Sequence, residues 1–220
     1  MPKGEFDMVK IGIFDIDFTI TKRETLIQFY IFMMKRNPRL IKHLPRSLSA
    51  FFLYSIKYYD EKKVKQAFLR FIIGVDEKDM EILVKRFYSE VLSNIFYEDA
   101  ISMIKKLKKE GCLIYLISAS PEFYLKEMYA IPEVDKIIGT KVVVNAGKFA
   151  AEILGDNNKG QVKVKKLMNE IEKEELEVDW ENSYMFSDSI SDAPLLNLVG
   201  NPYLINYRKT HDSIEILKWR

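Results

Sequence analysis

The feature that most constrains this chain is an unbroken apolar run, Ile11-Gly-Ile-Phe14, which stops at an acidic residue and gives way to a long stretch of different texture. A strand without polar alternation must be covered on both faces, as parallel strands are in α/β proteins. The same texture returns at Leu113–Ile117, Ser183–Phe186 and Tyr203–Ile205. Between these runs the spacing predicts an amphipathic helix over Ala100–Glu110, closed by Gly111, and a helix led in by Ser118-Ala-Ser-Pro121. It also predicts a hairpin-like segment near Lys141–Ile153, a long charged helix from about Lys159 to Glu175, and a short helix over Asp192–Leu198. Strands alternating with helices predict an α/β fold, a parallel sheet with helices on both faces.

Residues 21–96 interrupt that alternation directly after the first strand. They are rich in aromatic and basic residues, and apolar residues crowd Thr25–Met34 and Leu48–Tyr59. Spacings near i, i+3, i+4 mark Val64–Ile73 and Met80–Val91, with breaks at Pro38 and Pro45 and a turn at Gly74-Val-Asp76. The block reads as an inserted helical cap over residues 21–96, leaving residues 1–20 and 97–220 as the core domain.

Bulk properties exclude several classes. The 34 basic and 32 acidic side chains leave a net charge of +2, which gives no footprint for nucleic acid. The single cysteine, Cys112, rules out an internal disulfide framework and a cysteine-rich zinc site, and its apolar neighbours predict a buried, inert thiol. His43 and His211 are the sole histidines. The segment Met1-Pro-Lys-Gly-Glu-Phe-Asp-Met8 has no apolar signal core, and no stretch approaches the ~20 apolar residues of a membrane span. A cytoplasmic protein is expected.

In open α/β sheets, ligands bind at the carboxyl ends of the strands. The residues placed there are Asp15, Asp17 and Thr19 after the first strand, Ser118 after the second, and Asp188 and Asp192 after Ser183–Phe186, with Lys159 at a predicted helix start. Phosphoryl transfer suits this set. A carboxylate attacks phosphorus, a second carboxylate handles the proton, and hydroxyl and ammonium groups meet the charge spread over the phosphoryl oxygens. Magnesium takes one or two carboxylates together with phosphate and waters. Taken singly, each residue has a plainer reading: Asp15, Asp17 and Ser118 as helix caps, Lys159 as a solvated charge, Asp188 and Asp192 as loop acids. Their joint placement along one sheet edge outweighs those readings.

The segments Asp15-Ile-Asp-Phe-Thr-Ile-Thr21, Leu116-Ile-Ser-Ala-Ser120, Lys159-Gly160 and Ser187-Asp-Ser-Ile-Ser-Asp192 resemble, in order, the four motifs of the haloacid dehalogenase superfamily, closest to its phosphoserine-phosphatase-like branch, subfamily IB. The resemblance implies a Rossmann-like core with a C1-type helical cap, and Mg2+-dependent hydrolysis of a small phosphorylated metabolite, phosphoserine-like, through an aspartyl-phosphate. It implies Asp15 as nucleophile and Asp17 as general acid/base. Thr19, Ser118, Ala119 and Lys159 would bind phosphate. The metal would lie between Asp15, the Asp17 main-chain carbonyl and Asp188, supported by Asp192. Glu24 falls where phosphoserine phosphatases place a substrate-binding glutamate; its plainer reading is a helix-start acid.

Three departures bear on the substrate: Phe18 where members often have Gly, Ser118-Ala-Ser120 in place of Ser-Gly-Gly, and Ser187-Asp-Ser-Ile-Ser-Asp192 in place of Gly-Asp-Gly-x-Asn-Asp. Two other readings stay open. Lys35, Arg36, Arg39, Lys42 and Arg46 lie between the aromatic runs Phe29-Tyr-Ile-Phe32 and Phe51-Phe-Leu-Tyr54, so the cap either receives a lipid phosphate at a membrane or buries its aromatics in a small core of its own. A phospho-accepting switch would use similar strand-end residues, but the second acid, Asp17, suits hydrolysis.

Overall fold

The structure is a computed structural model that describes residues 8–220; the expected lack of an apolar leader concerns a segment whose residues 1–7 lie outside the described ones. Strand β1 (Ile11–Phe14) is followed by helices α1 (Thr25–Arg36), α2 (Leu44–Ser55), α3 (Glu61–Phe68) and α4 (Glu77–Glu90), with 3-10 turns at Pro38–His43 and Leu69–Ile72. The alternating part then runs α5 (Glu98–Lys109), β2 (Leu113–Pro121), a single-turn α6 (Glu122–Leu125), β3 (Lys136–Thr140), the hairpin β4 (Val142–Asn145) and β5 (Lys148–Ile153), and α7 (Gln161–Lys173). It closes with β6 (Tyr184–Ser187), α8 (Ala193–Leu196), β7 (Asn201–Ile205) and β8 (Glu215–Leu217).

Six strands form one parallel sheet in the order β3-β2-β1-β6-β7-β8. This is the expected α/β, Rossmann-like fold. Successive strand residues point to opposite faces, so each strand feeds two cores. Ile11, Ile13, Tyr115 and Ile117 join Leu167 and Ile171 of α7 on one face. Phe14, Ile114 and Leu116 join Ala100, Ile104 and Leu107 of α5 on the other. Phe14 stacks on Phe186 at 4.5 Å between centroids, and Phe186 on Tyr203 at 5.2 Å, each pair in register across neighbouring strands. Such stacking adds about 0.5–1.5 kcal/mol per pair beyond burial.

The helices between β1 and α5 do not build a core of their own. Phe29 of α1 lies 5.1 Å from Phe87 of α4 and 5.3 Å from Tyr124 of α6, so the first aromatic run belongs to the same apolar cluster as the sheet. The second run does not: Phe51 and Phe52 are 63% and 64% exposed. The hairpin β4–β5 ties the block down from the far side, where Gly74, at φ +78°, donates its N–H to the Phe149 carbonyl.

Sequence patterning missed three features. Strand β3 and strand β8 lie at sheet edges, and the strand expected to stop at Ile117 continues to Pro121, so the helix expected after it shrinks to one turn. A register shift between Ile117 and Pro121 lets Pro121, without an N–H, still pair with Thr140. Cys112 is buried as expected, and burial pushes its thiol up. Among the described residues, no helix is long and apolar enough to cross a membrane.

Candidate active site

Strands β2, β1 and β6 are adjacent and parallel, so their carboxyl ends share one rim. Asp15 follows β1 directly. Its N–H extends the ladder to the Phe186 carbonyl at 2.9 Å, leaving the side chain 7% exposed at the strand tip. Lys163 Nζ donates to Asp15 Oδ1 at 2.6 Å and to Asp192 Oδ2 at 2.7 Å, and Ser187 Oγ donates to the same Asp192 oxygen at 2.9 Å. A buried ammonium held by two carboxylates is a satisfied charge; removing one partner leaves an expensive orphan. Burial pulls the Lys163 ammonium down, but Asp15 and Asp192 together outweigh that and hold it above the ordinary lysine value.

This lysine corrects the sequence reading. Lys159 stands before the helix and pairs with the partly exposed Glu61 of α3. Lys163, in the first turn of α7, is the residue that reaches the rim. The signal was present in the sequence: Lys163, Leu167 and Ile171, at i, i+4 and i+8, form the buried stripe of the helix.

Asp17 is held by both parts of the chain. Its carboxylate accepts the Thr25 N–H from the start of α1 at 2.6 Å, the Ser120 hydroxyl at 2.6 Å and the Ser118 hydroxyl at 3.3 Å. Ser118 also accepts the Ser120 N–H at 3.0 Å. Thr19, fully buried, accepts the Asp188 N–H at 2.8 Å, which fastens the loop after β6 to the loop after β1. The Ala119 carbonyl accepts from Thr140 Oγ1 and, at 2.7 Å, from Lys65 Nζ of α3. Beneath it Asn158 donates to the Ser118 and Ile138 carbonyls, both at 2.9 Å. Lys65, Ser120 and Asn158 were not anticipated. Lys65 sits among Lys62 and Lys63, and nothing in that run distinguishes it.

Burial, with the charges of Asp192 and Asp17 adding to it against the pull of Lys163, pushes Asp15 upward. Burial and Asp192 push Asp188 up to about 6. At both positions burial is the first cause, and Lys163 opposes it. Among the described residues no three Asp, Glu, His or Cys side chains converge as a ready-made metal cage. One or two carboxylates with a main-chain carbonyl form a hard-oxygen donor set that leaves room for water and phosphate. Such a set fits a divalent cation, and Asp15, Asp188 and the Asp17 carbonyl could supply it.

Glu24 accepts the Ile27 N–H and so caps α1, while burial and the nearby Asp17 charge push its carboxyl up to about 7. Lys65 is pulled down to about 8, chiefly by burial. Phe18 takes a left-handed φ of +60°, a conformation that costs a non-glycine residue and accounts for the glycine often found there in the family it resembles.

The chain matches the haloacid dehalogenase-like hydrolase family over residues 13–197. It is 21% identical to a probable phosphatase of Mycobacterium tuberculosis over 89% of this chain and 68% of that one. It spans 53% to 68% of the length of the curated relatives it matches. A protein of unknown function from Bordetella pertussis Tohama I shares the fold at a TM-score of 0.80, with 18% identity and 91% of each chain covered. A substrate-bound phosphoserine phosphatase shares it at 0.63, with 15% identity, covering 91% of this chain and 88% of the other. By the extent of the family match, and with this rim at its centre, the chain belongs to the haloacid dehalogenase-like hydrolases.

Proposed function

We propose that the protein is a phosphomonoester hydrolase in which Asp15 forms an aspartyl-phosphate and Asp17 moves the proton. The observation that carries this reading is the Lys163 ammonium held between Asp15 and Asp192. It orients the Asp15 carboxylate, leaving the other oxygen to attack, and sets a fixed positive charge beside the position of the phosphoryl oxygens.

Asp15 attacks phosphorus as the ester P–O bond breaks, and the departing alkoxide takes the proton of Asp17, leaving as the alcohol. Asp17, now a carboxylate, removes a proton from water. The resulting hydroxide attacks phosphorus, releases inorganic phosphate and restores Asp15. The Thr25, Ser118 and Ser120 donors stabilise Asp17 once it has become a carboxylate and fix its aim. Ser118, the main chain at Ala119 and Lys163 form the phosphate cradle, with Thr19 positioning Asp188. Magnesium, held by Asp15, Asp188 and the Asp17 carbonyl, would supply Lewis-acid neutralisation of the phosphate charge.

Helices α1–α4, residues 21–96, act as a cap over the core formed by residues 1–20 and 97–220, with Lys65 and Glu24 reaching the rim from the cap side. The resemblance and Glu24 support a substrate among small phosphate monoesters, while Phe18 and Ser118-Ala-Ser120 stand against phosphoserine itself; a cytoplasmic setting keeps the lone thiol reduced.

The test is magnesium-dependent hydrolysis of a generic aryl phosphate, with Asp15→Asn expected to abolish it while the variant still folds, because asparagine keeps the Oδ1 acceptor and Asp192 still pairs with Lys163. Retained turnover in that variant removes Asp15 from the mechanism, and a long-lived phosphoprotein with no phosphate release would indicate a switch instead.

A further inference from the structure

A cavity of about 550 Å³ opens beside the rim, within the size range of small-ligand sites. Glu24, Lys65, Asn157 and Lys159 line it together with Ala119, and Glu61 pairs with Lys159 there. Most of the remaining wall is apolar, with Leu44, Leu48, Phe51, Val64 and Phe68 contributed by α2 and α3; its polar groups are Ser47 and the Tyr54 hydroxyl, which is bonded to Glu61. Leu48 and Phe51 are 61% and 63% exposed although they line it, so the wall has no protein partner of its own.

The cavity is joined to the chemistry through a short, direct route. Asp17, the group that would protonate the leaving oxygen, is bonded to the first N–H of α1, and the next two residues of that helix, Leu26 and Ile27, are cavity wall. A leaving group on the oxygen facing Asp17 therefore extends into apolar surroundings. Burial pushes the Glu24 carboxyl and the Lys65 ammonium toward neutrality, as a dry entrance would. A charged amino-acid leaving group would engage those two at the mouth and leave the α2 wall in water.

Resting on the phosphatase reading, we infer that the substrate is an amphiphilic phosphate monoester, with a phosphate head at Asp15 and an extended apolar chain lying along Leu48, Phe51 and Phe68. Each methylene buried there strengthens transition-state binding, and full burial of one is equivalent to about a fourfold gain in kcat/KM.

The experiment is a series of ethyl, butyl, hexyl, octyl and decyl phosphates with magnesium, held below their micelle concentrations. In parallel, calorimetric affinities are measured for the matching alkylphosphonates, which cannot be hydrolysed. We expect kcat/KM and phosphonate affinity to climb together by about two- to fourfold per methylene until the chain outgrows the cavity. The octyl-to-ethyl ratio should fall at least tenfold in Phe51→Ser and Leu48→Ser, whose exposed positions keep folding intact. Turnover of every ester at one flat rate overturns the inference but leaves the phosphatase reading standing. Chain-length-dependent phosphonate binding without any turnover does the reverse. A rate that rises only on adding anionic vesicles, with phosphonate affinity independent of chain length, assigns the α2 face to a membrane surface and also overturns the inference.

Discussion

The strand rim and helix α2 are opposite solutions to the problem of placing difficult residues. On the rim, Asp15, Lys163 and Asp192 are charged, almost fully buried, and bonded to one another. On α2, Leu48, Phe51 and Phe52 are apolar and left in water, although the aromatic run of α1, similar in sequence, is buried to the last ring. Burying charge demands partners, and exposing apolar surface forgoes a stabilisation that a ligand could recover. The first region is pre-organised in the free protein; the second is completed by something that arrives.

The largest effect that would break this contrast is at Lys163. Lys163→Met strands Asp15 and Asp192 as a buried pair of acids, which should cost about 3–5 kcal/mol in urea unfolding. It should also lower kcat/KM by at least 10²–10³-fold, the loss typical when one electrostatic donor is removed. Lys159→Met, on the surface pair with Glu61, should change stability by no more than about 1 kcal/mol. Equal effects of the two substitutions would mean that the rim is not the closed network its geometry shows.

The aromatic runs sharpen the contrast next. Phe29→Ala empties a position between Phe71, Phe87 and Tyr124, and about 3–5 kcal/mol should be lost. Phe51→Ala should stay within about 0.5 kcal/mol, as substitutions at exposed positions do. A loss at Phe51 comparable to that at Phe29 would show that α2 is already covered in solution, by a second copy for example.

Glu24 lies where the two regions meet, and its titration reports which one governs it. Its folded pKa of about 7 lies above the unfolded value near 4.3, so the fold binds the extra proton. The stability this contributes is fully present below the unfolded value and is lost as pH rises through the folded one. Relative to Glu24→Gln, the wild type should therefore lose on the order of 1–3 kcal/mol between pH 4 and 8. A difference that does not change with pH would place Glu24 in free contact with solvent.

These contrasts also mark what the sequence could and could not convey. The sheet was legible because Ile11–Phe14 and Leu113–Ile117 are uninterrupted apolar runs, and the placement of Asp15, Asp17 and Asp188 follows because they come just after strand ends, whereas Ser118 lies inside the longer β2. Edge strands β3 and β8 carry Lys, Gly, Thr and Glu, which blur the pattern. Reading one lysine among several required helical phase, and adjacency to Gly160 drew attention to Lys159 where the stripe through Leu167 pointed to Lys163. Composition could not separate Phe29 from Phe51, because burial of a helix face is settled by what packs on it. The reach of Lys65 to Ala119, 54 positions away, has no local signature.

The smallest effect comes from Phe18, where the rim itself carries a strained residue. At φ +60° an aromatic residue forgoes about 1–2 kcal/mol relative to glycine. Substituting glycine returns about 0.5–1 kcal/mol of that to the unfolded chain as entropy. The ring is 45% exposed beside Tyr97 and Asn206, so little burial is forfeited. Phe18→Gly should therefore raise stability by up to about 1 kcal/mol, read as a small upward shift of the urea midpoint at unchanged slope. A fall in the midpoint would mean that the ring's contacts beside Asp188 outweigh the backbone strain, and that even this loop of the rim is held by packing.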